Sequence, residues 1–305
     1  MEALSNVISA VHKRGICYQT DVTFQKLTTI GVGGAVALTV YPQTVQQLVW
    51  LARYLKKGNV PHVFVGNGSN ILAGDGDYNG VVVVTKSVNA ISVDGQYVTA
   101  ECGANTASVC TQLVANGLTG GEFFGCIPAT VGGAVACNAG CFNQCVAEVL
   151  VSADVLYKGR LRTLSASQCN FGKRQSLFKN NADYLVISAT MMFPRASVAH
   201  VKQTLASMRQ KKSETQPLGE KSAGSVLYDE TVAVSRLIDQ AGLKGFTIGQ
   251  AQVSKKHAGF VINLDKATAT DIYLLIEFVK NTLQEKFGVF PKTELCFVNM
   301  DTLSQ

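Results

Sequence analysis

Hydrophobic residues recur along this chain with two different periods, which predict a mixture of helices and strands. In 44–59 the apolar positions keep helical spacing, and Thr44 can cap the first turn. The same spacing returns in 267–288, where Gly288 follows the last apolar residue and can end the helix. Further helices are predicted at 3–13, 104–116 and 197–212.

Short runs rich in valine and isoleucine lie between these segments, and turn residues separate them as in β-strands. Strands are predicted within 27–42, 61–72, 81–85, 90–95, 97–102, 147–165 and 184–194. Residues 213–224 are rich in Pro, Gly and Ser, and we predict a loop there. The pattern predicts strands and helices mixed on both sides of a boundary near residue 196, with one domain over 1–196 and a second over 197–305.

Composition restricts the class of protein. Of the 305 residues, 47% are hydrophobic and 16% are charged, so a large core can form and disorder is disfavoured. The net charge of +6 is scattered, which favours small anionic ligands over nucleic acid. No run approaches the ~18 apolar residues of a membrane span, and the N-terminus does not resemble a secretory signal. We expect a cytoplasmic protein without membrane insertion, and we expect it to be a monomer.

The nine cysteines raise the question of a metal cluster. Cys137, Cys141 and Cys145 lie four residues apart, a wider spacing than the CxxC pattern of iron–sulfur proteins. In a reducing compartment, free cysteines are mostly small buried hydrophobic residues. We therefore predict neither a metal site nor disulfides.

Three glycine-rich turns, at 28–34, 65–70 and 125–143, fall in the first half of the chain. Glycine permits positive φ and allows main-chain N–H groups to approach a ligand closely, so such turns are typical anion sites. Neither a P-loop motif nor a GxGxxG motif that opens a helix is present. The third turn has no charged residue and too much glycine for a stable helix. Together the turns predict a large phosphorylated ligand with a flat aromatic part.

The motifs TTIGVGG, VGNGSNIL, GCIPATVGGAVACNAG, RQSLFK, AQVSKKHAGFVIN and KTEL occur in this order. The ordered set resembles the UDP-N-acetylenolpyruvoylglucosamine reductase family over residues 20–298, in the shorter class without an extra tyrosine-bearing loop. The resemblance implies an α+β fold, with noncovalent FAD in an α+β domain of the vanillyl-alcohol-oxidase (PCMH) type and a C-terminal α+β domain for the substrate. It also implies NADPH and a UDP-sugar as partners, and a role in peptidoglycan precursor synthesis.

In this family, NADPH reduces the flavin, which then delivers a hydride to the enolpyruvyl group of the sugar nucleotide. Arg174 matches the family arginine, and its guanidinium would stabilise the resulting enolate. Lys173 stands where the family has an aromatic residue. Ser225 in SAGSVLY matches the serine that protonates the carbanion, although Tyr228 and Asp229 differ from the usual residues that follow.

Glu294 in KTEL matches the third catalytic residue of the family. A carboxylate beside a developing enolate has to be protonated or has to orient a water molecule, and burial would raise its pKa in that direction. Lys212 and His257 are candidates for the diphosphate-sugar. A lone histidine is as readily structural, and Gly259 replaces a family asparagine, so both interpretations of His257 stay open.

The resemblance also carries over a set of flavin contacts from the glycine-rich turns. They are Thr29, Gly31, Gly66, Asn67, Gly68, Ser69, Asn70, Pro128, Thr130, Val131, Gly132, Gly133 and Asn138.

Two other functions remain open at this point. One is a flavin oxidase or dehydrogenase of the same architecture, which often attaches its flavin covalently. His62 and Cys102 are present, but neither lies in a familiar attachment motif. The other is a flavin-binding protein without catalysis, which should lack the trio Arg174, Ser225 and Glu294.

Overall fold

The computed structural model describes residues 2–300 as two compact units, and both contain helices and strands. Unit 1 comprises the chain up to Thr20, Leu38–Asn67 and Gly80–Lys212. Unit 2 comprises Asp21–Ala37, Gly68–Asn79 and the chain from Ser213. The protein is therefore of the α+β class.

The border between the units does not coincide with the predicted domain boundary near residue 196. Helix Val198–Thr215 accounts for part of the difference, because its Leu205 is buried in the core of unit 1. Two segments from the first eighty residues belong to unit 2. These two segments belong to unit 2 because they contact residues far along the chain, and a local sequence pattern does not reveal such contacts.

All five predicted helices are confirmed, with ends that differ by at most three residues. Thr44 Oγ1 accepts a hydrogen bond from Gln47 N at 3.2 Å, and Gly288 ends the last helix with φ of 68°. No helix among residues 2–300 is both long and apolar enough to cross a membrane. The helices are α1 (Glu2–His12), α2 (Phe24–Leu27), α3 (Val45–Lys57), α4 (Thr106–Asn116), α5 (Val131–Ala136), α6 (Val198–Thr215), α7 (Val234–Gln240) and α8 (Ala269–Phe287).

The strands are short, as the turn residues between them predict. They are β1 (Cys17–Gln19), β2 (Val22–Thr23), β3 (Ala35–Tyr41), β4 (His62–Val65), β5 (Ile71–Ala73), β6 (Tyr78–Val84), β7 (Ile91–Asp94), β8 (Tyr97–Glu101), β9 (Gly140–Cys141), β10 (Gln144–Cys145), β11 (Leu150–Tyr157), β12 (Arg160–Ser165), β13 (Tyr184–Met192), β14 (Lys221–Ser225), β15 (Leu227–Tyr228), β16 (Thr247–Ile248), β17 (Ala251–Val253), β18 (Phe260–Asn263), β19 (Lys292–Thr293) and β20 (Cys296–Val298).

Unit 1 contains two larger sheets with separate cores, and the two-stranded ribbon of β9 and β10. One has the order β1-β3-β6-β4, and its Leu38 and Val81 are buried with Leu48 and Leu51 of α3. The other is antiparallel with the order β12-β11-β13-β8-β7, and it packs against α4 and α5. Alternate residues of β8, Val98 and Ala100, point into the core, because the side-chain period of a strand is two.

Unit 2 is built around the antiparallel sheet β14-β18-β17-β16, against which α8 packs. Ile272, Leu275, Ile276, Val279 and Leu283 repeat at helical spacing on α8 and are at most 2% exposed. Each such side chain stabilises the fold by roughly 1.5–3 kcal/mol. The apolar stripe recognised in the sequence is therefore the core of this unit.

Two local predictions were wrong. The tract 125–143 was expected to be too rich in glycine for a helix, but it contains α5. Burial of Val131, Ala134 and Val135 stabilises this helix where the intrinsic propensity of its glycines does not. Residues 213–224 are not wholly a loop, because β14 begins at Lys221 and pairs with β18.

Candidate active site

The tract 125–143 lies in unit 1, where neighbouring segments fix its backbone. Thr106 Oγ1 donates to Ile127 O at 2.5 Å and to Ala129 O at 3.1 Å. Asn67 Nδ2 donates to Pro128 O at 2.8 Å, so the tract is tied to the second glycine-rich turn. These bonds hold the segment that leads into α5.

The first N–H groups of α5 are already used within the protein. Val131 N donates to Ala104 O and Gly132 N donates to Cys102 O, both at 2.8 Å. Helix N-termini usually leave such donors for a cap or a ligand. The main-chain donors of these two residues are therefore not available to a bound dinucleotide.

The glycines of the tract differ in what surrounds them. A Cβ added to Gly132 would lie 2.9 Å from Cys102 Cβ, and one added to Gly125 would lie 2.6 Å from Leu205 Cδ1. These glycines are required because other parts of unit 1 approach them closely. Gly133 is exposed, and its added Cβ would meet only Thr130 Oγ1, at 3.6 Å. Of these three glycines, Gly133 is the one with open space beside it.

Thr130 precedes α5 at the N-cap position, but its side chain makes no capping hydrogen bond. The residue is only 4% exposed, and no bond of its hydroxyl is found within residues 2–300. A Cβ on Gly66 would collide with this hydroxyl, so the second glycine-rich turn runs directly against it. A hydroxyl without a protein partner, on a side chain that is otherwise buried, is suited to a ligand.

The turn at 65–70 has unused main-chain donors. In unit 1, the N–H groups of Gly66 and Asn67 donate to no residue of the described chain, and in unit 2 the same holds for Gly68 and Ser69. Gly68 is buried and has φ of 64°, and a Cβ there would collide with Leu27 O. Consecutive free N–H groups in a glycine turn are typical of phosphate sites.

Arg174 has a left-handed backbone, with φ of 58°. It lies in a tight turn in which Gly172 and Gln175 exchange both main-chain hydrogen bonds, at 3.0 and 3.2 Å. Its Nη2 donates to Gly140 O at 2.9 Å, and Lys179 Nζ donates to Arg174 O at 3.0 Å. A non-glycine residue held in this strained region is often part of a functional site.

Asn138 connects the tract to the turn of Arg174. Its Nδ2 donates to Gly172 O at 2.8 Å, and its Oδ1 accepts from Ala147 N at 2.9 Å. The side chain is 5% exposed, and the backbone has φ of 42°. The geometry gives Asn138 a positioning role for the Arg174 turn, which the sequence did not indicate.

Lys212 lies near the end of α6, and its Nζ donates to Cys126 O in the tract. Burial lowers the pKa of this ammonium, while the thiols of Cys126 and Cys141 act in the opposite direction. Lys212 therefore belongs to the surroundings of the tract in unit 1.

In unit 2, the first glycine-rich turn is held by contacts at Thr29 and Gly31. Thr29 N donates to Gly68 O at 3.2 Å, and its Oγ1 donates to Ser222 O at 2.7 Å. The buried Asn263 donates from Nδ2 to Ile30 O at 3.0 Å and to Gly31 O at 3.3 Å. Asn263 was missed, because an asparagine at a strand end gives no sign of a contact 233 residues away.

Ser225 and Glu294 come to neighbouring main-chain positions in unit 2. Glu294 N donates to Val226 O at 2.9 Å, where β15 and β19 pair. Asn70 Nδ2 donates to Glu294 O at 3.1 Å, and Cys296 N donates to Asn70 O at 2.9 Å. Three segments that are distant in sequence thus meet in this unit, and two of the three predicted catalytic residues lie there.

Gly259 lies between Ser225 and His257. A Cβ on Gly259 would lie 3.1 Å from both Ser225 Oγ and His257 Cε1, so glycine leaves room for the two side chains. Gly259 N donates to His257 Nδ1 at 3.1 Å, which places the imidazole proton on Nε2 in the neutral ring. Burial and, to a lesser degree, Lys244 lower the pKa of His257.

The predicted site residues are thus divided between the units. Unit 1 holds Gly66, Asn67, Pro128, Thr130, Val131, Gly132, Gly133, Asn138, Arg174 and Lys212. Unit 2 holds Thr29, Gly31, Gly68, Ser69, Asn70, Ser225, His257 and Glu294. Among residues 2–300, no three His, Cys, Asp or Glu side chains are grouped so that they could hold a metal ion.

Two family models match different parts of the chain. One, described as an FAD binding domain, matches residues 35–165. The other, the C-terminal domain of UDP-N-acetylenolpyruvoylglucosamine reductase, matches residues 216–298. The fold and these domains define an FAD-dependent oxidoreductase.

Whole-chain comparisons narrow this class to one family. A UDP-N-acetylenolpyruvoylglucosamine reductase of Clostridium botulinum is 38% identical over 277 residues, which cover 90% of both chains. A second relative, UDP-N-acetylenolpyruvoylglucosamine reductase 2 of Bacillus cereus, is 35% identical over 99% of both. The solved reductase of Thermus caldophilus superposes with a TM-score of 0.78 at 26% identity, covering 93% of this chain and 98% of the other. The chain belongs to the UDP-N-acetylenolpyruvoylglucosamine reductase family.

Proposed function

We propose that this protein reduces UDP-N-acetylglucosamine enolpyruvate to UDP-N-acetylmuramate, with FAD as bound cofactor and NADPH as reductant, in peptidoglycan precursor synthesis. The observation that carries the proposal is the extent of the match. Relatives named for this reductase cover at least 90% of the chain, so the similarity includes both the FAD-binding and the C-terminal domain.

The residues of the glycine-rich turns fit an FAD molecule. The unused N–H groups of Gly66 and Asn67 suit phosphate oxygens, and the unused Thr130 hydroxyl can bond to another polar atom of the cofactor. The open side of Gly133 leaves room for a flat ring. When bound, FAD accepts a hydride from the nicotinamide and delivers it to the enolpyruvyl carbon.

Arg174 supplies permanent positive charge for the substrate. A guanidinium can donate two parallel hydrogen bonds to a carboxylate, and it keeps its charge at every physiological pH. The hydrogen bonds of the 172–175 turn hold its backbone in one conformation, so little reorganisation is needed when an enolate develops.

Ser225 delivers the proton that completes the reduction. Its Oγ lies 3.5 Å from Leu227 O, at the outer limit of a hydrogen bond, so this carbonyl does not hold the hydroxyl firmly. Glu294 follows the strand that pairs beside Ser225, and it supports or orients the donor. Lys212 and His257 bind the diphosphate-sugar.

Anaerobic half-reactions of Ser225→Ala test the function directly. We expect flavin bleaching by NADPH to stay near the wild-type rate, because this step needs no proton donor for carbon. Oxidation of the reduced flavin by the enolpyruvyl sugar nucleotide should slow by about 10²–10⁴-fold, as is typical for loss of a general acid. Thr231→Ala, on an exposed residue of unit 2, serves as the control.

The outcomes separate the role of Ser225 from the function itself. Equal loss of both half-reactions would refute the proton-donor role. Wild-type protein that bleaches with NADPH but is not reoxidised by the enolpyruvyl sugar nucleotide would refute the proposed substrate. Wild-type protein that binds no FAD would refute the proposed function as a whole.

A further inference from the structure

Three segments that are distant in sequence bring basic side chains together on one surface of unit 1. They are the two residues that follow α1, the last turns of α3, and the hairpin between β11 and β12. Arg53 Nε on α3 donates to Gly159 O in the hairpin turn at 2.8 Å. We call this surface the basic face. Its seven exposed cations are Lys13, Arg14, Arg53, Lys56, Lys57, Lys158 and Arg160.

Aromatic side chains lie among these cations. Arg14 Cζ lies over the ring of Trp50, 4.0 Å from the ring centroid, and Trp50 and Tyr54 on α3 have centroids 5.2 Å apart. Tyr157, the last residue of β11, stacks on Tyr184 of β13 with 4.5 Å between the centroids. Basic and aromatic side chains are therefore interleaved across the basic face.

The basic face has little compensating negative charge. Asp183 Oδ1 lies 2.6 Å from Lys56 Nζ, and its Oδ2 lies 3.6 Å from Lys158 Nζ. Among residues 2–300, no other carboxylate forms an ion pair with the seven cations. These eight groups together carry as much charge as the whole chain, whose net charge is +6. The positive charge is scattered along the sequence, but the fold collects its excess on one surface.

The aromatic rings indicate which anionic partner fits this surface. Nucleic-acid-binding surfaces present open ring faces on which bases stack. Here Arg14 covers one face of Trp50, and Tyr184 covers one face of Tyr157. Trp and Tyr among Lys and Arg are instead typical of a membrane–water interface. Leu161, which follows the hairpin turn and is 54% exposed, adds an apolar side chain that can enter the headgroup layer.

We propose that the basic face binds the surface of a bilayer that contains anionic phospholipids. The ammonium and guanidinium groups contact the phosphate oxygens, while Trp50, Tyr54 and Leu161 lie at the level of the headgroups. Each Lys or Arg near such a surface strengthens binding about fivefold, and several act together. Binding of this kind is peripheral and reversible. It is independent of the proposed function, because it uses no residue of the candidate active site.

Co-sedimentation of the FAD-loaded protein with vesicles tests this binding. Vesicles of phosphatidylcholine and phosphatidylglycerol in a molar ratio of about 2:1 are compared with vesicles of phosphatidylcholine alone. At about 0.1 M salt we expect at least tenfold tighter binding to the anionic vesicles, and near 0.5 M salt most of it should be lost, because counterions screen surface charges. Equal binding to the two kinds of vesicle at the lower salt concentration would overturn the proposal.

Charge-reversed variants identify the surface that binds. The test variant combines Lys13→Glu, Lys57→Glu and Arg160→Glu, whose wild-type side chains make no ion pair within residues 2–300. We expect its affinity for the anionic vesicles to fall by about 10²-fold or more, since three favourable charges become unfavourable. Its FAD content should stay at the wild-type level, which shows that unit 1 is folded.

The matched control changes the total charge by the same amount at exposed residues outside the basic face. It combines Arg195→Glu, Lys202→Glu and Lys266→Glu. Its affinity for the vesicles should fall by less than about threefold, because charges farther from the lipid than a Debye length are largely screened. Equal losses in the two variants would show that total charge, and not the basic face, governs binding, and would overturn the proposal.

Fluorescence of the wild type provides a second measurement that needs no variant. Trp50 is the only tryptophan of the chain, so its emission reports on the basic face. A nitroxide on the lipid headgroup should reduce this emission at least about twofold relative to unlabelled anionic vesicles, since Trp50 lies among the headgroups in the proposed complex. Binding without quenching would overturn the proposed surface. A single-stranded oligonucleotide that displaces the protein from the vesicles at an equal concentration of phosphate would identify nucleic acid as the partner, and would overturn the lipid.

Discussion

Two threonines occupy N-cap positions in unit 1, and only one of them caps its helix. Thr44 Oγ1 accepts from Gln47 N at the start of α3, whereas the Thr130 side chain makes no such bond at the start of α5. The same residue type at the same kind of position therefore caps one helix and leaves its hydroxyl unused at the start of the other. At the scale of single residues, an unused polar atom marks Thr130 as a candidate ligand contact, whereas the bonded hydroxyl of Thr44 is structural.

This difference predicts opposite effects for two alanine substitutions. Thr130→Ala should change the free energy of unfolding by less than about 0.5 kcal/mol, because no cap is lost. It should weaken FAD binding about threefold to tenfold, the value of one ordinary hydrogen bond. Thr44→Ala should cost about 1 kcal/mol of stability and leave FAD affinity unchanged.

Urea unfolding of the apoprotein and fluorescence titration with FAD measure these two quantities. A Thr130→Ala variant that loses as much stability as Thr44→Ala, with normal FAD affinity, would show that its hydroxyl is structural.

At the scale of elements, α5 forms in a sequence that local propensity disfavours. Its first two N–H groups bond to Ala104 and Cys102 instead of a capping side chain, and its apolar residues enter the core of unit 1. Helices this short depend on tertiary packing for their stability. The two glycines of α5 can therefore be required for different physical reasons.

The adjacent Gly132 and Gly133 allow a test of this point. Gly132→Ala should destabilise the apoprotein by about 1–3 kcal/mol, because its methyl group would press on Cys102. Gly133→Ala should be neutral or stabilising by about 0.5–1 kcal/mol, since alanine is the better helix former. We nevertheless expect Gly133→Ala to weaken FAD binding. For a given effect on the free energy of unfolding, it should weaken FAD binding more than Gly132→Ala does.

Thermal unfolding without FAD and titration with FAD supply the comparison. Normal FAD affinity in Gly133→Ala would show that the open space beside this residue is not part of the cofactor site.

At the scale of the whole molecule, each unit is assembled from segments that are far apart in sequence. Unit 2 joins two stretches of the first eighty residues to the C-terminal third of the chain. Parallel pairing of β5 with β20 aligns Ile71 with Cys296 within this unit. The stability of unit 2 therefore depends on long-range contacts and on groups buried by them, and His257 is one of these groups.

His257 predicts a pH dependence of stability. Burial lowers its pKa in the folded protein below the ordinary value near 6.5, so the unfolded chain binds the proton more readily. Stability is therefore complete above about pH 6.5 and falls as the pH drops through that value towards the folded pKa. His257→Asn, whose side-chain oxygen can still accept from Gly259 N, should reduce this loss.

The measurement is urea unfolding between about pH 5 and 7, the range in which the linkage acts. His200→Asn, on an exposed residue of α6, is the matched control and should keep the wild-type slope. Equal slopes for His257→Asn and the wild type would show that His257 does not contribute to acid sensitivity.

The sequence by itself determined the long helices, most strands and the family, because apolar periodicity, caps and ordered glycine motifs are local properties of the chain. It also identified Arg174, Ser225 and Glu294 as candidates. Only the tertiary structure decided which polar groups remain unused, that Asn138 holds the Arg174 turn, and that Asn263 holds the first glycine-rich turn. These facts depend on which distant segments come into contact, and contact across the fold leaves no periodic signal in the sequence.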